Sequence, residues 1–148
     1  MDATDKSYSA AIGYARDLGA QHGRNAASWV EIPDAATARA ILAGMEDGDP
    51  AILDFLPSPD LSGQWAGMMT GPELVHDAWD HGAWNARIDA GDHLTGPAYA
   101  DWHAQHVAWY DAQDLETLGF SDICDAYETA FSDAAEDEVS RRARYMAQ

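Results

Sequence analysis

One segment constrains this chain more than any other: between Ser121 and Arg144, apolar side chains return every three or four residues. Ile123, Cys124, Tyr127, Phe131, Ala134, Ala135 and Val139 build a single stripe at the period of an amphipathic α-helix. Ser121 stands where an N-cap is wanted. Arg141, Arg142 and Arg144 follow, at the negative end of the helix dipole, and Cys124 on the stripe reads as a small buried hydrophobe. Helical spacing also dominates the rest of the chain, and strand-like alternation is nearly absent. The expectation is an all-α fold, one domain over 1–148, built as a bundle of about five helices with an irregular loop near 57–64.

The first helix should run from Thr4 or Ser7 to Val30, with Tyr8, Ile12, Ala15, Gly19, His22, Ala26 and Trp29 on one face. Gly13, Gly19 and Gly23 each cost about 1 kcal/mol against alanine in a helix interior. Gly19 and Gly23 share a face, so a second helix could approach closely there; a kink is the competing reading. Ile32-Pro33-Asp34 ends the segment, with Asp34 placed to cap a helix over 35–46. Gly48-Asp49-Pro50 breaks that helix, Ala51–Leu56 makes a short apolar turn or a single helical turn, and Pro57–Gly63 is a surface loop pinned by Trp65. Thr70–Trp84 can be laid on Thr95–Trp109 at an offset of 25 residues. Each copy starts with Thr-Gly-Pro, an N-cap with proline in the first turn, and Thr70 with Glu73 spells a capping box. Two helices follow, over 71–88 and 97–112, joined by a turn at Asp89-Ala-Gly-Asp92.

Charge limits what the chain can bind. Its 148 residues carry 26 acids against 8 bases, a net of −18 with histidines neutral. Direct binding to nucleic acid or to an anionic membrane surface would be repelled. The charge is uneven along the sequence: residues 1–30 are neutral, while residues 101–140 hold eleven acids and no base. Two explanations compete. A solvated, salt-adapted exterior would spread acids everywhere; recognition of a basic surface would concentrate them. At about 100° per residue, Asp122, Asp125, Asp133, Glu136 and Asp137 fall within about 120° on the polar side of the last helix and span about 22 Å. One DNA strand carries a phosphate about every 3.4 Å, so a phosphate-like array needs a second row, which Asp101, Asp111, Asp114 and Glu116 could supply if packing brings them alongside.

Other chemistry is weakly signalled. Asp77 and His81, with His103 and His106, could converge as a two-plus-two metal site if their helices are antiparallel neighbours. No His-Glu-x-x-His or repeated Glu-x-x-His supports that, and packed histidines explain the pattern more simply. Five of the six tryptophans lie between Trp65 and Trp109; helical spacing favours core packing, and an exposed pair could anchor a partner. No phosphate-cradling glycine loop, nucleophile elbow or Cys/His pair occurs. Neither a catalytic residue nor a cofactor is expected. The single cysteine excludes a disulfide framework. There is no run of the roughly 20 apolar residues a membrane span needs, and Met1–Lys6 lacks a basic, apolar leader, which implies a cytoplasmic protein.

Gly13–Gly19, Gly23–Trp29, Glu46-Asp-Gly-Asp-Pro50, Asp60-Leu-Ser-Gly-Gln-Trp65 and Cys124–Phe131 resemble an uncharacterised family of small acidic proteins from actinobacterial and haloarchaeal genomes, phages and plasmids. The resemblance touches both ends and about half of the chain; residues 74–118 are particular to this one. It implies a setting and no catalytic residues. A mobile-element setting favours antagonism of host defence, and a haloarchaeal one favours salt adaptation.

The expected function is therefore a non-enzymatic, DNA-mimic-like inhibitor. Asp101, Asp111, Asp114, Glu116, Asp122, Asp125, Asp133, Glu136 and Asp137 would occupy a basic nucleic-acid-binding surface of a host restriction or CRISPR protein. The alternatives are a salt-adapted helical adaptor or homo-oligomer, and a metal-dependent helical enzyme using His81, His103 and His106.

Overall fold

Helical periodicity is realised along the chain. The computed structural model describes residues 3–53, 55–59, 61, 70–91, 93–112, 114, 115 and 117–148, the side chains of 3–7, 52, 53 and 83–90 excepted. Five helices carry the fold: α1 (Ala3–Ala27), α2 (Ala35–Asp47), then, after the single turn α3 (Pro50–Leu53), α4 (Gly71–Gly91), α5 (Gly96–Asp111) and α6 (Phe120–Met146). Among the described residues there is no strand, and the fold is all-α. No helix among them is long and apolar enough to cross a membrane. Residue contacts group into two units, one of Met1–Arg16 with Asp60–Ala126, the other of Asp17–Pro59 with Tyr127–Gln148. The division passes through both α1 and α6.

In the second unit, the later turns of α1 lie directly on α6. Gly19, Gly23 and Ala27 of α1 are buried, as are Tyr127, Phe131, Ala135, Val139 and Ala143 of α6. A Cβ on Gly19 would fall onto the Tyr127 carbonyl and 3.0 Å from its Cα; one on Gly23 would meet Phe131 in the same way. The two glycines are the close-approach face, and α1 runs through them without a break. The Arg142 guanidinium donates to the carbonyls of Ala27 at 2.6 Å and Val30 at 2.8 Å, so it satisfies the open end of α1 rather than its own helix. Asp34 caps α2 by accepting from the Thr37 N–H at 2.8 Å. Gly48, at φ 68°, closes α2: its N–H and that of Asp49 reach back to Met45 and Gly44, the double bond of a Schellman ending.

In the first unit the core gathers on Trp79, 1 % exposed, with Leu74, Val75, Ala78, Ile123, Ala11 and Ala15. The indole N–H of Trp79 donates to the Leu118 carbonyl at 2.5 Å, and its ring is flanked by Tyr8 at 5.8 Å and Trp109 at 6.2 Å. Thr70 caps α4 by accepting from the Glu73 N–H.

Four local expectations are corrected. α1 ends at Ala27, and Trp29, assigned to the apolar face, is 85 % exposed: once the helix stops, its periodicity no longer governs Trp29. α4 runs on to Gly91 instead of turning at Asp89, because the bare glycine lets the Trp102 ring pack where a Cβ would stand. Thr95 occupies the N-cap of α5 with extended backbone but makes no side-chain cap bond. Ser121 lies inside α6, whose first turn donates through the Ile123 N–H to the carbonyl of Gly119, itself at φ 67°. Trp65, Trp84, Asp92 and Glu116 had roles proposed from sequence that fall outside the described residues or side chains.

Candidate acidic interface

The apolar stripe of α6 determines where its acids point. With Ile123, Cys124, Tyr127, Phe131, Ala135 and Val139 buried, Asp122, Asp125, Asp133, Glu136 and Asp137 are exposed. Asp122 and Asp125 belong to the first unit, and Asp133, Glu136 and Asp137 to the second. Asp101 on α5, Asp111 at its last turn and Asp114 beyond it, all in the first unit, are exposed as well. Every described acid proposed from sequence thus faces solvent.

Local bonding leaves most of this charge unspent. Asp122 accepts a short hydrogen bond from the Tyr8 hydroxyl; this bond, with burial and the carboxylate's charge, raises the Tyr8 phenol above its ordinary range. Asp80 accepts from Tyr110 at 2.8 Å, and burial together with that carboxylate holds Tyr110 well above the usual phenol range. Burial and the charges of Asp77 and Asp80 also raise Tyr14. Among the described residues the ion pair is Arg141 with Glu138, at 2.5 Å. The bond from Arg141 lowers Glu138, and Arg142 and Arg24 act in the same direction. Arg144 donates to the Ser140 hydroxyl at 2.9 Å.

By unit the imbalance is broad. The first unit carries fourteen acids against Lys6, Arg16 and Arg87, a net of −11; the second carries twelve against five arginines, a net of −7. The neutral first 30 residues are therefore divided between units that are both acidic, and Arg16, Asp17 and Arg24 in them are exposed.

The histidines are occupied by packing. His81 stacks on Tyr14 at 4.2 Å, with its Nδ1 2.9 Å from the Asp77 backbone carbonyl. His106 stacks on Trp102 at 5.4 Å, and His103 lies against Tyr99 at 5.8 Å. Among the described residues no group of three or more His, Cys, Asp or Glu is placed to hold a metal.

Sequence reasoning missed Arg142. Its signal was present: at about 100° per residue it falls on the apolar side of α6, where a charge needs a partner. The chain matches no protein-family model, no curated protein and no solved structure.

Proposed function

We propose that this chain is a non-enzymatic binding protein whose exposed carboxylates occupy the basic nucleic-acid-binding surface of another protein, such as a restriction or CRISPR effector. One observation carries the reading. Asp101, Asp111, Asp114, Asp122, Asp125, Asp133, Glu136 and Asp137 are all exposed, in a stretch with no Lys or Arg between Arg87 and Arg141. Carboxylates fixed on helices present charge to a cationic groove without the entropy cost of ordering a flexible acidic tail. Charge complementarity of this kind speeds encounter and is sensitive to salt, since the Debye length is about 8 Å at 0.15 M. The test is competition: the protein should displace duplex DNA from a basic effector at low salt and lose that ability as salt rises. Absence of competition at low salt across a panel of restriction and CRISPR effectors would defeat the proposal.

A second reading is favoured by the charge of both units, −11 and −7. Acid spread over both units suits a salt-adapted adaptor whose carboxylates serve hydration. On that reading it is folding that depends on salt, and the melting temperature should climb steeply toward molar KCl.

A further inference from the structure

The second unit's part of α6 has a charge order that the acidic average conceals. At about 100° per residue, Asp133, Asp137, Arg141 and Arg144 fall within an arc of about 80°. All four are exposed, and in sequence they read acid, acid, base, base. Asp133 and Arg144 lie equally far to either side of the Glu138–Val139 step; Asp137 and Arg141 bracket the same step, one residue off that symmetry. A stripe with that order is its own complement under a two-fold axis. Laid antiparallel on a second copy, each Asp133 faces an Arg144 and each Asp137 faces an Arg141. Ser140, on the same face, is small enough for close approach at the centre. Tyr145, 75 % exposed, borders the stripe and offers the kind of aromatic area that interfaces use.

The geometry points to a homodimer in which the C-terminal halves of two α6 helices pair antiparallel through these four side chains. The occupant of the face is a second copy of this chain, because the alternation of sign fits its own inverse, while a uniformly basic partner would be repelled by Arg141 and Arg144. Closed two-fold contacts of this type are the commonest route to homo-oligomers. Arg141 would exchange its bond to Glu138, and Arg144 its bond to Ser140, for bonds across the axis. Net charge of −18 on each copy opposes approach over long range, and salt screens that repulsion more than it screens ion pairs in contact. The interface is small and polar, so the expected dissociation constant is on the order of 100 µM. It is argued independently of the effector-binding reading but covers two of that reading's carboxylates, Asp133 and Asp137, which leaves an effector Asp101, Asp111, Asp114, Asp122, Asp125 and Glu136.

Two variants test it, with Arg142 left in place. Arg141→Asp with Arg144→Asp makes the stripe all acidic; Asp133→Arg with Asp137→Arg makes it all basic. Sedimentation equilibrium should find the unaltered chain in monomer–dimer exchange, and each variant alone self-associating at least about tenfold more weakly. The two variants mixed should form a heterodimer, with circular dichroism confirming equal helix content throughout. A wild-type chain that stays monomeric to about 1 mM, variants that dimerise as the wild type does, or a mixture that does not associate would each overturn the proposal.

Discussion

Three glycines in one helix should answer the same substitution with opposite signs. Gly13, Gly19 and Gly23 all lie inside α1, and replacing glycine with alanine in a helix interior gains about 1 kcal/mol from backbone entropy alone. At Gly13 a new Cβ meets nothing within 4 Å, so Gly13→Ala should keep that gain in full. At Gly19 and Gly23 the methyl would collide with the backbone of Tyr127 and Phe131. Backbone cannot swing aside like a side-chain tip, so α1 and α6 must part or shift along each other, loosening the packing of both rings. Overpacking costs about 1–3 kcal/mol; with backbone on the receiving side the upper end applies, and subtracting the helix gain leaves a loss of about 2 kcal/mol. For a chain of this size about 1 kcal/mol moves the melting temperature by about 2–4 °C. Thermal melts followed by circular dichroism should place Gly13→Ala about 3 °C above the parent and Gly19→Ala and Gly23→Ala each about 6 °C below it. If Gly19→Ala and Gly23→Ala stabilised as Gly13→Ala does, the two helices would not be in backbone contact, and the packing described for the second unit would be wrong.

Other perturbations follow from the same contacts. Arg142→Gln should destabilise by about 1.5–3 kcal/mol, the range for hydrogen bonds to a charged group, by uncapping Ala27 and Val30, whereas Arg144→Gln should leave urea midpoints nearly unchanged. Trp79→Phe keeps most of the buried ring but strands the Leu118 carbonyl, for a loss of about 1–3 kcal/mol in the same assay. His22 lies 2.7 Å from the Tyr127 hydroxyl, and burial lowers its pKa below the ordinary 6.5. The unfolded chain therefore takes up the proton first, and stability should fall as pH drops from 6.5 toward the folded value and level off below it. A wild-type chain whose stability between pH 7 and pH 5 tracked that of His22→Gln would contradict this.

What could be read in advance depended on whether the determining contact lay within one helix. The stripe of α6 is a property of consecutive residues, and Ile123, Cys124, Tyr127, Phe131, Ala135 and Val139 are buried as their spacing required, with Ala134 half-buried at its edge. The small face of Gly19 and Gly23 was equally legible, since only a close neighbour justifies two glycines there. Trp29 was misread because the spacing rule holds only while the helix lasts, and α1 stops two residues short of it. Arg142 was hidden for a different reason: its partners are carbonyls 112 and 115 residues away in sequence, which no local pattern reports. The acids were predictable as exposed side chains one at a time. Where they lie relative to one another was not, because Asp101 and Asp111 on α5 and Asp114 beyond it are placed by packing rather than by local spacing.

The pairing of α1 with α6 also sets the order of events during synthesis. His22 meets Tyr127 across 105 residues of chain, and the seam at Gly19 and Gly23 has no surface to close against until Phe131 has left the ribosome. At about 5–20 residues per second, the N-terminal helix waits several seconds with its glycine face open to solvent and to whatever holds nascent chains. A helix weakened by three glycines is a poor structure to hold alone for that time, so this part of α1 should form as a consequence of α6 arriving rather than as a template for it.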